Sequence, residues 1–258
     1  MTEKTNKNRA LTTVVSMAML TAIAVAADLL LRLPGIGGFL TYEPKDVILV
    51  IGAFIFGPVA GVVMSLVVCL VEMVTVSSTG FIGLLMNFIA SASFVGVSSL
   101  IYCRKKTMRR AFIGLAAGSL VMTAVMLLWN YIITPIYMNV DRQVVVGMIL
   151  PLLLPFNLLK AALDSALALL LYKAVVTALR KAKLVPVRDD ATKGSKKKLT
   201  AAVVIISGAA AATLFVLLLV FAGKIRFGVI RRKPPRLASR RFFRVTRQNR
   251  FMTAFLSN

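Results

Sequence analysis

Long apolar runs, separated by short polar segments, dominate the first 180 residues of the chain. Runs of about 20 apolar residues suit a hydrocarbon core about 30 Å thick, because a helix rises about 1.5 Å per residue. Backbone groups in lipid find no water, so spanning segments form helices or closed barrels, and unbroken Leu, Val, Ala and Met runs fit helices. The pattern therefore predicts an all-α, polytopic membrane bundle.

The runs and breaks predict six membrane helices within residues 1–182. They cover residues 11–31, the two parts of 47–76, 82–102, 111–137 and 146–179. Gly57 and Pro58 divide the second run into a short second helix and a fuller third helix. The polar segment 77–80 marks a turn. Pro151 and Pro155 predict a bent start for the sixth helix.

The carboxyl-terminal part of the chain does not follow this pattern. Residues 183–199 form a Lys-rich linker that we expect in the cytoplasm, and 200–222 is an apolar run long enough for a seventh helix. An Arg-rich tail occupies 223–258. A seventh span would place this tail outside, against the usual charge bias of membrane proteins. A genuine extension, a re-entrant hairpin and a misread carboxyl-terminal frame are all open alternatives.

Composition supports a membrane protein and gives its orientation. Hydrophobic residues make up 59% of the chain, against about 45–50% in soluble domains. The net charge of +23 comes from clusters between apolar runs, so we interpret it as a topology signal beside anionic lipid and not as a nucleic-acid surface. The amino terminus, 104–110 and 180–198 are separated by even numbers of predicted crossings. We therefore expect a multi-pass protein of the bacterial plasma membrane with a cytoplasmic amino terminus.

Several chemistries are excluded by missing residues. The chain has no His, which excludes His-ligated metals and a His-based catalytic triad. Cys69 and Cys103 are too few for a disulfide framework or a metal site. The chain also lacks the G-x-x-x-x-G-K-[ST] nucleotide motif. We expect no catalytic residues, no metal and no bound nucleotide, so uphill transport would need an energising partner.

One polar face stands out in the sixth helix. Asn157, Lys160 and Asp164 are spaced i, i+3 and i+7, so they project from the same side of a helix that is otherwise Leu and Ala. A charge at mid-membrane costs roughly 2.5–3.5 kcal/mol on insertion scales, so such residues need a reason. The face predicts a polar cavity. The alternative is a Lys160–Asp164 pair that only neutralises itself.

Two further regions are candidates for ligand contact. Asn130 lies in an apolar run, where its amide suits the alternating donors and acceptors of a heteroaromatic ring edge, although helix-to-helix hydrogen bonding would use the same group. The loop at residues 35–46 offers Leu40, Tyr42 and Glu43 beside flexible glycines, as a lid over a site would. An ordinary extracellular loop would have the same composition.

Small residues form a stripe on the first helix. Ala18, Ala22 and Ala26 recur at four-residue spacing, which allows another helix to approach closely. The stripe predicts a docking surface for a partner or, alternatively, packing inside the bundle.

Five segments together carry a family resemblance. They are L-T-Y-E-P-K-D at 40–46, G-A-F-I-F-G-P at 52–58, S-S-T-G at 77–80, N-Y-I-I-T-P-I-Y at 130–137 and L-P-F-N-L-L-K at 154–160. Over roughly residues 10–182 the chain resembles the riboflavin-specific S component of energy-coupling-factor transporters. The N-Y and L-P-F-N-L-L-K segments are specific to that branch, whereas G-A-F-I-F-G-P is shared among S components.

The resemblance implies a six-helix bundle that holds riboflavin near its outer side beneath the first loop. It implies ligand contacts from Asn130, Asn157 and Lys160. It also implies that the alanine stripe docks on a membrane coupling subunit, and that two ATP-binding subunits complete the complex. Two departures are Pro44 at the entry to the second helix and the additional apolar run 200–222 with its tail.

Three other functions compete with this one. The nearest is the same architecture with another vitamin. An intramembrane lipid-modifying enzyme would use Asp28, Glu72 or Asp164, and paired D-x-x-D motifs that would favour it do not occur. A structural scaffold would have no convergent polar set across its helices.

Overall fold

The computed structural model describes residues 2–36, 40–76, 80–182, 184 and 207–219. Its helices are α1 (Thr2–Leu31), α2 (Lys45–Phe56), α3 (Pro58–Thr75), α4 (Gly80–Arg104), α5 (Met108–Met138), α6 (Arg142–Met148), α7 (Leu154–Lys181) and α8 (Ser207–Leu219). A π-helical turn, Ile149–Leu153, joins α6 to α7. Among the described residues, five segments are long and apolar enough to cross a membrane: Ala10–Leu31, Pro58–Thr75, Gly80–Arg104, Met108–Met138 and Arg142–Lys181. The predicted all-α membrane bundle is confirmed.

The second helix is short, as the sequence predicts. At 12 residues, α2 extends about 18 Å, well below a hydrocarbon thickness of about 30 Å. Leu49, Val50 and Ile51 have no exposed surface. Other helices therefore enclose α2, so its length does not have to match the membrane.

Gly57 and Pro58 separate α2 from α3, also as predicted. Gly57 has a φ of 104°, a left-handed conformation that glycine adopts without a steric penalty. Pro58 begins α3, where its missing N–H is not needed for a helical hydrogen bond.

The helices α4 and α5 pack closely at two glycines. A Cβ atom placed on Gly114 would lie 2.5 Å from the carbonyl oxygen of Ser98, and one on Gly118 would lie 2.7 Å from that of Phe94. Neither position accepts a larger side chain without a shift of backbone. The apolar run of α5 therefore uses its glycines for close helix contact.

The irregular start of the sixth predicted helix coincides with its prolines. Pro151 lies within the π-helical turn and Pro155 in the first turn of α7. Proline lacks the N–H that a regular α-helix needs at an interior position. The single predicted helix is therefore α6, a π-helical turn and α7 in sequence.

The loop after α1 contains a β-hairpin that the sequence analysis did not predict. Strands β1 (Leu33–Ile36) and β2 (Leu40–Tyr42) are antiparallel, with Leu33 opposite Tyr42 and Ile36 opposite Leu40. Both strands are too short to show an alternating pattern in the sequence. The backbone N–H and C=O groups of the two strands form hydrogen bonds with each other, so they do not need water as a partner.

An aromatic cluster closes the end of the bundle away from the hairpin. Phe54 of α2 stacks on Tyr102 of α4 with ring centroids 4.3 Å apart. Tyr172 of α7 meets the Tyr102 ring edge-on, and the two hydroxyls lie 3.0 Å apart. Phe54 lies at the carboxyl end of α2, whereas the hairpin leads into its amino end.

The carboxyl-terminal predictions lie almost wholly outside the described residues. Within the run 200–222, residues 207–219 are helical and bury Ser207, Ala211 and Leu218. The linker 183–199, apart from Leu184, and the tail 223–258 are not described. The seventh span stays a prediction.

Candidate ligand-binding site

The polar face of α7 points into the protein. Asn157 is 3% exposed, Lys160 is 7% exposed and Asp164 has no exposed surface. Their i, i+3, i+7 spacing keeps them on one side of the helix, and that side meets the hairpin and α2. The face is therefore buried, and the polar cavity that it would line stays a prediction.

The charged groups of this face pair with other elements. The Lys160 ammonium lies 3.3 Å from Asp46 Oδ2 at the start of α2. The Tyr42 hydroxyl donates to Asp164 Oδ1 at 2.9 Å. The alternative of a self-neutralising Lys160–Asp164 pair is therefore wrong, because each residue has its partner in the segment 42–46.

The two asparagine side chains are held by their own helices. Asn130, 1% exposed, donates through Nδ2 to the Met126 carbonyl at 2.7 Å and accepts from Thr134 at 2.9 Å. Asn157 Nδ2 donates to the Leu153 carbonyl at 2.8 Å. An amide nitrogen carries two N–H groups. These bonds fix the amide orientation while one N–H of each amide stays available for a further acceptor.

The hairpin packs on the same stretch of α7. Leu40 and Tyr42 belong to a buried apolar cluster with Leu153, Phe156 and Leu163. These α7 and π-turn residues flank Asn157 and Lys160 along the chain. The structure thus places Leu40 and Tyr42 beside the polar face of α7. Asn130 lies on α5, where its amide bonds Met126 and Thr134.

Next to Tyr42, a buried charge cluster binds the hairpin to the bundle. The residues that form it are Arg32, Glu43, Lys45, Glu72 and Asn87. Lys45 Nζ lies 2.5 Å from Glu43 Oε2 and 2.5 Å from Glu72 Oε2. Arg32 pairs with Glu43 Oε1. Asn87 Nδ2 donates to Glu43 Oε1 at 3.3 Å and to Glu72 Oε2 at 3.2 Å.

Of this cluster, only Glu43 was predicted from the sequence as a ligand contact. Arg32, Glu72 and Asn87 are each isolated at the end of an apolar run or within one, and Lys45 lies in the segment 40–46, whose pattern does not indicate a partner on α3. The signal in the sequence was the presence of both acidic and basic residues in or beside apolar runs, because an unpaired ionisable group is costly in a membrane. This signal indicates that each such residue has a partner, but it does not identify the partner.

Local charges decide the ionisation of the hairpin residues. Burial alone would raise the pKa of Glu43, but the positive charges of Lys45, Lys160 and Arg32 outweigh it and lower that pKa to about 2. Burial and the nearby Asp164 carboxylate raise the pKa of the Tyr42 phenol. Glu43 is therefore an anion engaged by protein donors, and Tyr42 is a neutral hydrogen-bond donor.

Three carboxylates lie close enough together to surround a cation. Oxygen atoms of Asp28, Glu43 and Glu72 all fall within 4.8 Å of one another. The Lys45 ammonium bonds two of these carboxylates. The Lys45 side chain therefore already supplies positive charge to two of the three carboxylates.

The alanine stripe lies on the outside of α1. Ala18, Ala22 and Ala26 are exposed, whereas Leu20 and Ala24 between them are buried. The described residues therefore do not bury the stripe inside this bundle. Its use as a docking surface stays a prediction.

A cavity of about 580 Å³ opens beside the hairpin, between α1, α7 and α8. Tyr42 and Arg32 contribute to a lining that is otherwise mainly apolar, with Leu163 of α7 and Phe215 of α8. The volume lies in the range of small-molecule sites, about 300–1,000 Å³. Of the predicted contact residues described here, Tyr42 lines this cavity, and Asn130, Asn157 and Lys160 do not.

Comparisons with known proteins agree with this architecture. A model of the family described as "ECF transporter, substrate-specific component" matches residues 12–172. "Riboflavin transporter RibU" of Staphylococcus aureus (strain TCH60) is 30% identical over 174 residues, which cover 65% of this chain and 92% of that protein. "Riboflavin transporter FmnP" of Bacillus subtilis (strain 168) is 27% identical over 161 residues, covering 57% and 82% respectively.

A solved structure is similar over the same part of the chain. It is described as "Structure and mechanism of the S component of a bacterial ECF transporter". The TM-score is 0.55 at 30% identity, and the match covers 65% of this chain and 97% of the other.

Proposed function

We propose that this chain, which belongs to the family of ECF transporter substrate-specific components, captures riboflavin at the outer side of the membrane and delivers it inward. Two riboflavin transporters among its relatives support this ligand. The buried polar residues of α5 and α7 are a structural observation that supports the same ligand.

The single observation that carries the proposal is the buried polar face of α7 beneath the hairpin. Asn157 offers an N–H donor between the buried apolar residues Leu153 and Phe156 and the rest of α7. Lys160 adds a buried ammonium beside Asp46, and Asn130 of α5 adds a second amide. A flavin ring is flat and carries carbonyl oxygens and ring nitrogens along one edge. A mainly apolar pocket with a few fixed polar groups suits such a ligand.

Energy for uptake comes from partners in this proposal. The sequence contains no phosphate-binding motif of the P-loop type. A membrane coupling subunit would dock on the exposed stripe of Ala18, Ala22 and Ala26, and two ATP-binding subunits would drive the complex. This chain itself performs no bond chemistry.

Orientation follows from the basic clusters. The amino terminus and residues 104–110 carry many Lys and Arg residues, which favour the cytoplasmic side. The hairpin and residues 139–141 then lie outside, where the vitamin arrives.

A flavin titration tests the ligand. The full chain purified in detergent should carry a yellow ligand or, after its removal, quench riboflavin fluorescence at a one-to-one ratio. Thiamine and biotin in the same assay serve as controls. Absence of quenching, together with binding of another vitamin, would assign the same architecture to that vitamin instead.

A further inference from the structure

Lys45 is the most deeply enclosed cation among the described residues. Its side chain has no exposed surface, and its ammonium bonds Glu43 Oε2 and both oxygens of Glu72. These partners belong to different elements, since Glu43 ends the hairpin and Glu72 lies in the last turn of α3. Lys45 therefore joins the hairpin to a helix that does not carry the polar face of α7.

Asn87 of α4 completes the same connection. Its Nδ2 lies 3.3 Å from Glu43 Oε1 and 3.2 Å from Glu72 Oε2. The Glu43 carboxylate consequently receives donors from α2 and α4, as well as from Arg32 after α1. Each of its oxygens is engaged by the protein.

The backbone transmits this anchoring to Tyr42. Successive side chains of an extended segment point to opposite sides. Glu43 points toward α3 and α4, and the preceding Tyr42 reaches Asp164 on α7. A fixed Glu43 therefore limits where the Tyr42 hydroxyl can lie.

Stability alone is a weak reason for such a cluster. Desolvation of buried charges offsets much of their attraction, and apolar residues of similar volume often stabilise a fold as well or better. A buried ion pair does, however, fix a geometry strongly, because displacing one partner leaves the other charge unpaired.

We propose that Lys45 and Glu72 are positioning residues, which hold the hairpin so that Leu40 and Tyr42 stay over the ligand site on α7. This inference rests on the proposed riboflavin function. It adds a set of residues on α2, α3 and α4 that act on ligand release without touching the ligand.

The test measures riboflavin release from the full-length Glu72→Gln variant in detergent by stopped-flow fluorescence. Gln keeps the shape but removes the charge that anchors Lys45. Release should become roughly tenfold faster, the scale expected for loss of a charged buried hydrogen bond, while association changes less. Tyr172→Phe is the control, because it removes a tyrosine hydroxyl that bonds Tyr102 at the other end of the bundle.

A double-mutant cycle distinguishes positioning from general loosening. The effects of Glu72→Gln and Tyr42→Phe on release should be non-additive, although these side chains share no hydrogen bond, because both changes free the same hairpin. Glu72→Gln and Tyr172→Phe should be additive. Wild-type release in Glu72→Gln, or additivity in the first pair, would overturn the proposal.

Two measurements keep the result decisive if a variant is unstable or riboflavin is the wrong ligand. Asn87→Ala leaves the four charges of the cluster in place and should also speed release, to a smaller extent. Hydrogen exchange of residues 40–46 needs no ligand and should accelerate in Glu72→Gln but not in Tyr172→Phe. Unchanged exchange would refute the positioning role, whereas a wild-type protein that binds no riboflavin would refute only the proposed function.

Discussion

At the scale of single residues, most of the polar side chains that the site brings together on α5 and α7 have a defined partner, whereas Asp164 Oδ2 is buried without a hydrogen bond to the described residues. Lys160 faces Asp46, Asp164 accepts from Tyr42, and Asn157 donates to the Leu153 carbonyl in the π-helical turn. Such a set is organised before a ligand arrives, so little ordering is needed when it binds. Single substitutions should therefore change affinity more than they change folding.

Asn157→Ala should weaken riboflavin binding by about tenfold to a hundredfold, because a ligand acceptor would lose its buried partner. Asn130→Ala and Lys160→Ala should act in the same direction. Affinity is measured by fluorescence titration in detergent, with folding followed by thermal unfolding.

The matched control for Asn157→Ala is Thr177→Ala. Thr177 also bonds the carbonyl four residues earlier, Lys173, but it is exposed and lies near the carboxyl end of α7. Its loss should leave affinity unchanged. Wild-type affinity in all three site variants would mean that the polar face is structural.

At the scale of elements, α1 has one buried face and one exposed face. Ser16, Leu20 and Ala24 are buried against the bundle, whereas Ala18, Ala22 and Ala26 face outward. An exposed row of small residues permits close approach of another helix. In the part of the chain that the structure describes, this row stays exposed, which is compatible with a partner surface.

Ala22→Leu should reduce cellular riboflavin uptake and co-purification with the coupling subunit while riboflavin affinity stays normal. The added side chain holds a partner helix away by its bulk. Affinity, co-purification and uptake are measured on the same variant. Normal uptake would contradict the docking role.

Two alanines provide controls for this prediction. Ala116→Leu makes the same change at an exposed position on α5 and should leave uptake intact. Ala24→Leu forces the same bulk into a position with no exposed surface, and overpacking there should destabilise the bundle by about 1–3 kcal/mol.

At the scale of the whole molecule, charge distribution decides orientation. Lys105 and Asn139 are both exposed and lie at opposite ends of α5. In a variant without Cys69 and Cys103, we expect Asn139→Cys to react with a membrane-impermeant maleimide in intact cells. Lys105→Cys should react only after permeabilisation. The reverse labelling would contradict a cytoplasmic amino terminus.

The same assay settles the carboxyl-terminal run. A cysteine introduced at Ser257 should label like Asn139→Cys if residues 200–222 span the membrane. Labelling only after permeabilisation, as for Lys105→Cys, would instead indicate a re-entrant segment.

The amino-acid sequence by itself determined the membrane bundle and the inward face of α7. Apolar runs of spanning length specify helices in lipid wherever their neighbours lie, and the spacing of Asn157, Lys160 and Asp164 fixes a common face within one helix. The break between α2 and α3 is also specified locally, by Gly57 and Pro58 themselves. Such features need only the residues of one segment.

Only the tertiary structure decided which charges pair and where the first loop lies. Lys45 meets Glu72 across 27 positions and Tyr42 meets Asp164 across 122. Periodicity within a segment carries no information about contacts over such separations. The hairpin likewise depends on packing against α7, because its two short strands have too few residues to specify pairing alone. The outward direction of the alanine stripe was decided in the same way, by the side of α1 that the remaining helices cover.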